Sequence, residues 1–259
     1  MTALTPPTLS ALCVVHNGEA LLEDCLASVA FADEIVVVLD RCTDRSKAIA
    51  QAHGAVLVEG GWEIEGPRRN AGLDACTKDY IFEIDADERV TPALQAEVRA
   101  ILGARPQGGV FIPFDNRIGG QPITFGWGAY NGVGGKRCIF PRGAKRWGAG
   151  RLHPSITQPE EVARSTARMV HLVYDDIPHM YQRLLRYCRL AAEDMVEADT
   201  IPSVFTTTRR VFSRFFKAYV QRKGHKEGVY GAALAVYSGL YPLLSHLMAA
   251  EMRRKKFKA

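Results

Sequence analysis

Two carboxylates two residues apart, Asp85 and Asp87, stand in the run Tyr80–Thr91 (YIFEIDADERVT). The apolar stretch before them reads as a strand. In an extended chain alternate residues point to one side, roughly 6–7 Å apart. The pair is therefore expected to face one spot beyond the strand's carboxyl end, where α/β sheets bind their ligands. Hard oxygen ligands there suit Mg²⁺ or Mn²⁺, which is held by one or two carboxylates and substrate phosphates. The pattern is short, and a solvated acidic turn has the same letters. Asp40 ends a second apolar run, Glu34–Leu39 (EIVVVL). There it can accept from a ribose hydroxyl or a base N–H, or serve as part of a helix-capping loop. Arg68-Arg69-Asn70 falls at a predicted helix start, where side-chain cations and backbone donors can meet a phosphate. A solvated arginine pair is the plain alternative.

The first hundred residues, which hold these groups, alternate apolar runs with helical periodicity. Leu9–Val15, Glu34–Leu39, Ala55–Val58 and Tyr80–Ile84 read as strands, and Glu19–Ser28, Ser46–Ala52, Pro67–Asp74 and Pro92–Leu102 as helices. Such alternation predicts a mostly parallel α/β sheet flanked by helices. Beyond Gly108 the texture changes. Gly109–Phe114 and Ala167–Tyr174 read as strands, Gly119–Gly150 as short strands with a binding loop, and His179–Glu197 as an amphipathic helix. The exit of the first strand, Val15-His16-Asn17-Gly18, lacks G-x-G-x-x-G, which excludes a dinucleotide-binding site of that kind. No Walker A sequence and no G-x-S-x-G elbow occurs.

The 259 residues carry a net charge of +5, unevenly spread. Residues 1–200 hold 21 Lys/Arg against 26 Asp/Glu, and residues 201–259 hold 12 against 2. This excludes a nucleic-acid partner for the folded body and predicts a basic tail that meets an anionic surface. The six cysteines are scattered, with no C-x-x-C pair, and read as reduced in a cytoplasmic compartment. Met1–Pro7 has no Lys or Arg, so no secretory signal is expected.

Three blocks in order, CVVHNGEALLEDCLASV, EIVVVLDRCTDRS and GPRRNAGLDACTKDYIFEIDADERVTP, resemble a family-2 glycosyltransferase of the GT-A type over about residues 8–103. The later segments GWGAYN, RCIFPRGAKRWGAGRLHPSI and MVHLVYDDIPHMYQRLLRYCRLAAEDM are similar to the bacterial subgroup that glucosylates the lipopolysaccharide inner core. The resemblance implies a GT-A nucleotide-diphospho-sugar transferase fold over residues 8–178, with a donor half (8–103) and an acceptor half (104–178). A C-terminal helical, basic, membrane-associated region follows over 179–259. It implies a nucleotide-sugar donor, a UDP-hexose, bound by Val15, Asn17, Asp40, Arg69, Asn70, Asp85, Ala86 and Asp87. A divalent cation (Mg²⁺ or Mn²⁺) would be held by Asp87 and Asp85. The reaction implied is inverting transfer to a hydroxyl of a glycolipid or cell-envelope saccharide. His153 and then Asp115 are the candidates for the base, and Trp127, Tyr130 and Arg151 for the acceptor site, with Trp147 a further ring able to stack on a sugar. Two departures stand out. Asp40-Arg41-Cys42-Thr43-Asp44 replaces the usual small residue and Ser, and Leu152-His153-Pro154 stands where the subgroup commonly has Val-His-Glu. The competing readings are a non-catalytic nucleotide-sugar-binding protein and a sugar-phosphate nucleotidyltransferase. The latter would want a Gly-rich cationic loop after strand one, which His16-Asn17-Gly18-Glu19 does not supply.

After Ser203, Val211, Phe212, Phe215, Phe216 and Tyr219 share one predicted helical face, with Arg209, Arg210, Arg214, Lys217 and Arg222 over much of the rest. That pattern predicts a helix lying in a membrane interface, placing the protein peripherally on the inner face. Gly228–Ala250, without Asp, Glu, Lys or Arg, is long enough to span. Gly231, Gly239, Pro242, Ser245 and His246 make it a poor span. The remaining alternative is a helical pair packed as core.

Overall fold

The structure is a computed structural model and describes residues 5–128, 134–149 and 155–256. In chain order its elements are β1 (Leu9–Val15), α1 (Glu19–Ser28), β2 (Glu34–Asp40), α2 (Ser46–Ala52), β3 (Val56–Gly60), α3 (Glu65–Ala75), β4 (Tyr80–Ile84), β5 (Glu88–Arg89) and α4 (Pro92–Gly103). There follow β6 (Gly109–Ile118), β7 (Gln121–Pro122), β8 (Gly135–Pro141), β9 (Arg146–Trp147), β10 (Ile156–Thr157), β11 (Glu161–Arg164) and β12 (Met169–Tyr174). The chain continues with α5 (Ile177–Glu197), α6 (Val204–Phe216), a π-helical turn (Lys217–Gln221), a 3₁₀ turn (Gly224–Glu227) and α7 (Gly228–Lys256).

The α/β expectation is borne out. Strands run in the order β3-β2-β1-β4-β8-β6-β12-β5, with β11 beside β6. β1 to β4 are mutually parallel, whereas β8 runs antiparallel to both β4 and β6. β1 shows why its sequence is continuously apolar. Leu9, Ala11, Cys13 and Val15 pack on one face with Leu22 and Leu26 of α1 and Leu94 and Val98 of α4. Leu12 packs on the other face with Leu73 of α3, Val36, Val38 and Phe140. A strand covered on both faces has no solvent side to mark with polar residues. All six cysteines are free, and five are buried.

The described residues fall into two compact units, one within Met1–Phe114 and Gly135–His171, the other within Asp115–Gly134 and Leu172–Ala259. This division differs from the predicted boundary at residue 178. Ile118, Ile123, Val173 and Tyr174 share a core with Met180 and Leu184 of α5 and Leu234 and Tyr237 of α7, so they belong with the helices. In the second unit Asp176 caps α5 and Ser203 caps α6, each accepting from a backbone N–H three residues on.

Gly72 lets α3 lie close on the sheet: a Cβ there would meet Leu12 Cδ1 at 2.5 Å and Val38 Cγ2 at 2.7 Å. We expect Gly72→Val to destabilise the first unit by about 1–3 kcal/mol through overpacking. Urea unfolding of the variant checks this; an unchanged midpoint would show that the sheet gives way freely.

Candidate active site

The carboxyl ends of β1 and β2 are laced together before any ligand is considered. His16 Nδ1 lies 2.6 Å from the Asp40 carbonyl oxygen. Asn17, at a positive φ of 52°, accepts from the Thr43 N–H at 2.8 Å. Asp44 accepts from the N–H groups of Ser46 and Glu19, so one carboxylate serves the starts of both α2 and α1. Asn17, expected in the donor site, thus has a positioning task in the loop, and Val15 is a buried strand-end residue. Asp40 is 1% exposed. Its carboxylate accepts from Arg41, from the Trp62 N–H at 3.0 Å and from Arg68 at 3.0 Å. Burial works against its charge, but the hydrogen bonds from Arg41, the Trp62 backbone and Arg68 hold its pKa below the ordinary value. The Nε of Arg68 is buried without a hydrogen-bond partner.

At the end of β4 the chain does not stay extended. The Glu88 N–H donates to the Asp85 carbonyl at 2.9 Å, closing a tight turn over Asp85-Ala86-Asp87-Glu88. Alternation fails inside a turn, so strand geometry no longer sets the directions of Asp85 and Asp87. Asp85 instead bonds Arg69 at 3.1 Å through one oxygen and Lys136 at 2.9 Å through the other. Glu88 bonds the same Lys136 at 2.7 Å and accepts from the Asp85 N–H. Antiparallel pairing sets this up: Phe82 lies opposite Ile139, and the same register carried three residues on brings Lys136 to Asp85. Burial opposes the charge on Asp85, but Lys136 and then Arg69 hold its pKa far below the usual carboxylate range. For Glu88, burial leads and the neighbouring Asp85 charge adds to it, and the pKa is raised to about 8 despite Lys136.

The acids that converge are Asp87 and Glu88, with His171 of β12. Their ligand atoms all lie within 4.8 Å of one another. His171 stands opposite Glu88 in the β12–β5 ladder, and its Nε2 is 3.8 Å from Asp87 Oδ2. Two carboxylates and an imidazole in that space fit a divalent cation. Asp85, the expected second ligand, has its oxygens on Arg69 and Lys136, and the groups that lie with Asp87 are Glu88 and His171.

Beside this turn opens a cleft of about 500 Å³, lined among others by Arg69, Asp85, Lys136, Arg137, Lys145 and Trp147. Trp147 is fixed on every side. Arg69 and Lys145 each lie 4.8 Å from its ring, and its Nε1 donates to Glu83 at 3.0 Å. The Asn70 side chain clamps its backbone, donating to the carbonyl at 2.8 Å and accepting from the N–H at 3.0 Å. Lys145 and Glu83 form a buried ion pair. Asn70 is thereby the tie between α3 and β9, and the Trp147 ring is a packed element with cations against it.

The remaining expected residues lie elsewhere. In the second unit, Asp115 accepts two hydrogen bonds from Arg117. Trp127 stacks near Tyr174 at 6.4 Å and donates to the Ile123 carbonyl, as a core aromatic does. Tyr130, Arg151 and His153 lie outside the described residues. Sequence reasoning missed Glu88, Lys136 and His171. Glu88 was visible in the D-A-D-E block, but Lys136 and His171 required knowledge of strand pairing.

Because the folded-state pKa of Glu88 is raised above its ordinary 4.5, to about 8, the native state holds a proton that the unfolded chain has released within that window. Its stabilising contribution is full below the lower value and is lost as pH rises through the upper one. Asp85 works in the opposite sense, but below pH 3.8, outside the window. Urea midpoints measured with a chelator present should therefore fall between about pH 5 and about pH 8. Glu88→Gln, which does not titrate, should flatten that fall; an identical slope in the variant would remove Glu88 as its source.

Residues 10–129 match the family model described as glycosyl transferase family 2. A lipopolysaccharide core biosynthesis glycosyltransferase, LpsC of Rhizobium meliloti, is 26% identical over 254 residues, covering 92% of this chain and 90% of that protein. An uncharacterized glycosyltransferase of Rickettsia bellii is 32% identical over 108 residues, 41% of this chain and 37% of its own length. The chain thus spans nearly all of the first relative and little more than a third of the second. Among solved structures, glucosyl-3-phosphoglycerate synthase from Mycobacterium tuberculosis, crystallised with Mn²⁺, UDP and glucosyl-3-phosphoglycerate, is 22% identical with a TM-score of 0.35 over 43% of this chain and 44% of that one, too slight a likeness to transfer any geometry. The matched segment runs from β1 through the acidic turn to the loop beyond β7. The chain carries a glycosyl transferase family 2 domain over residues 10–129 and is a glycosyltransferase.

Proposed function

We propose that the protein transfers a hexose, with inversion, from a UDP-sugar to a hydroxyl of a glycolipid or cell-envelope saccharide, at the cytoplasmic face of a membrane and with a divalent cation, Mg²⁺ or Mn²⁺. The observation that carries this reading is the Asp87–Glu88–His171 cluster at the carboxyl end of β4, inside the transferase unit. The name of the Rhizobium relative supports the acceptor class.

Asp87 and His171 would hold the cation, with Glu88 behind them. Bound there, the ion supplies Lewis-acid neutralisation of the leaving diphosphate. Arg69 and Lys136, held in place by Asp85, present fixed positive charge beside the same turn. Asp40 would accept from the ribose or base. For that, Arg41, 55% exposed, swings aside and opens an acceptor position on the carboxylate, whose oxygens keep the Trp62 N–H and Arg68. The unpartnered Arg68 Nε then gains a nucleotide oxygen to donate to. His153, or Asp115 in its absence, would take the proton of the acceptor hydroxyl as it attacks the anomeric carbon. A single displacement of this kind inverts the centre.

Asp87→Asn should reduce turnover by on the order of 10²–10³-fold while circular dichroism is unchanged. Asp85→Ala should be strongly impaired through Arg69 and Lys136. His171→Ala should shift activity to higher Mn²⁺, and EDTA should silence the wild type until the cation is restored. Sugar-nucleotide consumption reads all three variants, and a folded Asp87→Asn enzyme at near-wild-type rate would remove the metal-site reading. Proton NMR coupling at the new glycosidic bond should report inversion; retention of the donor's α configuration would exclude a single displacement.

A further inference from the structure

The outward side of α6 is apolar where a solvated helix would be polar. Thr207, and Ala218 in the π-helical turn, are the buried positions of this stretch. At 100° per residue, Phe205, Phe212 and Phe216 fall within about 40° of one another on the opposite side. They are 80%, 69% and 52% exposed. This corrects the face read from sequence: Val211 and Phe215 turn toward Gly239 of α7, and Phe205 joins Phe212 and Phe216 outside. Between Pro202 and Lys226 there are seven Lys/Arg and no Asp or Glu.

α7 does not need a membrane to cover it. It is the one described helix long and apolar enough to span, yet 44% of its most apolar window is buried. Its small residues are used for packing: a Cβ on Gly239 would lie 3.2 Å from the Val211 carbonyl, and Pro242 and Ser245 are buried. Tyr181 of α5 donates to the Ala233 carbonyl at 3.2 Å. The apolarity of α7 serves the core of the second unit, and that of Phe205, Phe212 and Phe216 in α6 does not.

We propose that α6 lies in the interface of an anionic lipid bilayer, with Phe205, Phe212 and Phe216 seated among the acyl chains and Arg209, Arg210 and Lys217 at headgroup level. Charge selects this occupant. A two-fold contact with a second copy would set the same cations face to face, with no acid on the element to answer them, whereas anionic headgroups supply the missing charge. The proposal deepens the reading of a membrane-borne acceptor and rests on it for its purpose, but vesicle binding is measured without donor or acceptor and is read separately from turnover.

Full-length protein is floated with vesicles of phosphatidylcholine containing phosphatidylglycerol, and with phosphatidylcholine alone, at low and high salt. Co-flotation with the anionic vesicles at low salt, weakened by salt and by removal of phosphatidylglycerol, is the expected result. Phe205→Ser/Phe212→Ser/Phe216→Ser should lower the bound fraction at least about tenfold, with circular dichroism and donor turnover retained, since these side chains contact little within the unit. Arg209→Gln/Arg210→Gln provides a second variant, expected to reduce binding severalfold and to flatten its salt dependence. Wild type that stays unbound on anionic vesicles at low salt, or a triple variant that floats like wild type, overturns the proposal. So does a wild-type dimer that the triple variant splits into monomers in sedimentation, because the face then belongs to a second copy.

Discussion

One ammonium group organises the acidic end of β4. Lys136 reaches from β8 to both Asp85 and Glu88, which the tight turn has brought within its reach. Three acids in four residues crowd this turn, and the Lys136 charge offsets the repulsion between them. With Asp85 committed to Lys136 and Arg69, the turn has a defined shape, and Asp87 is left on the side where His171 arrives from β12. The antiparallel placement of β8 is therefore part of the site's chemistry. A parallel strand in that slot would not bring Lys136 to the same end as Asp85.

The sequence was most legible where local rules and tertiary structure agree. β1, β2, β4, α1 and α2 lie within a residue of their predicted limits because continuous apolar runs and helix periodicity leave no competing reading. Asp40 and the acidic block were likewise visible as polar residues interrupting buried strands. Legibility ended where geometry depends on partners far along the chain. D-A-D-E spells an extended pair of acids as readily as a turn, and the Glu88-to-Asp85 backbone hydrogen bond decides between them. His171 reads as an unremarkable strand residue in MVHLVY until its ladder with β5 is known. Asn70 and Trp147, each read separately as able to meet a ligand, are joined by two hydrogen bonds that no spacing in the sequence announces.

The two C-terminal helices show how composition can mislead about location. By hydropathy alone, α7 is the membrane candidate and α6 a charged surface helix. Side-chain direction instead buries much of the apolar surface of α7 and leaves Phe205, Phe212 and Phe216 of α6 exposed. The glycines, serines and proline that weaken α7 as a span are what let its neighbours approach closely, and the arginines of α6 accompany a row of phenylalanines that no described residue of the second unit covers.

The discontinuous make-up of the second unit has a consequence for synthesis. Ile118, at the end of β6, and Ile123, just past β7, are translated early, but their core partners Leu234 and Tyr237 follow roughly a hundred residues later. The first unit has no such delay along β1 to β4, where each strand pairs with one already made or soon to come. A nascent chain therefore carries an ordered α/β half and an excursion whose apolar side chains wait for α7. During that interval Ile118 and Ile123 lack these partners and are open to chaperones and proteases, and a chain stopped ahead of α7 would keep them so.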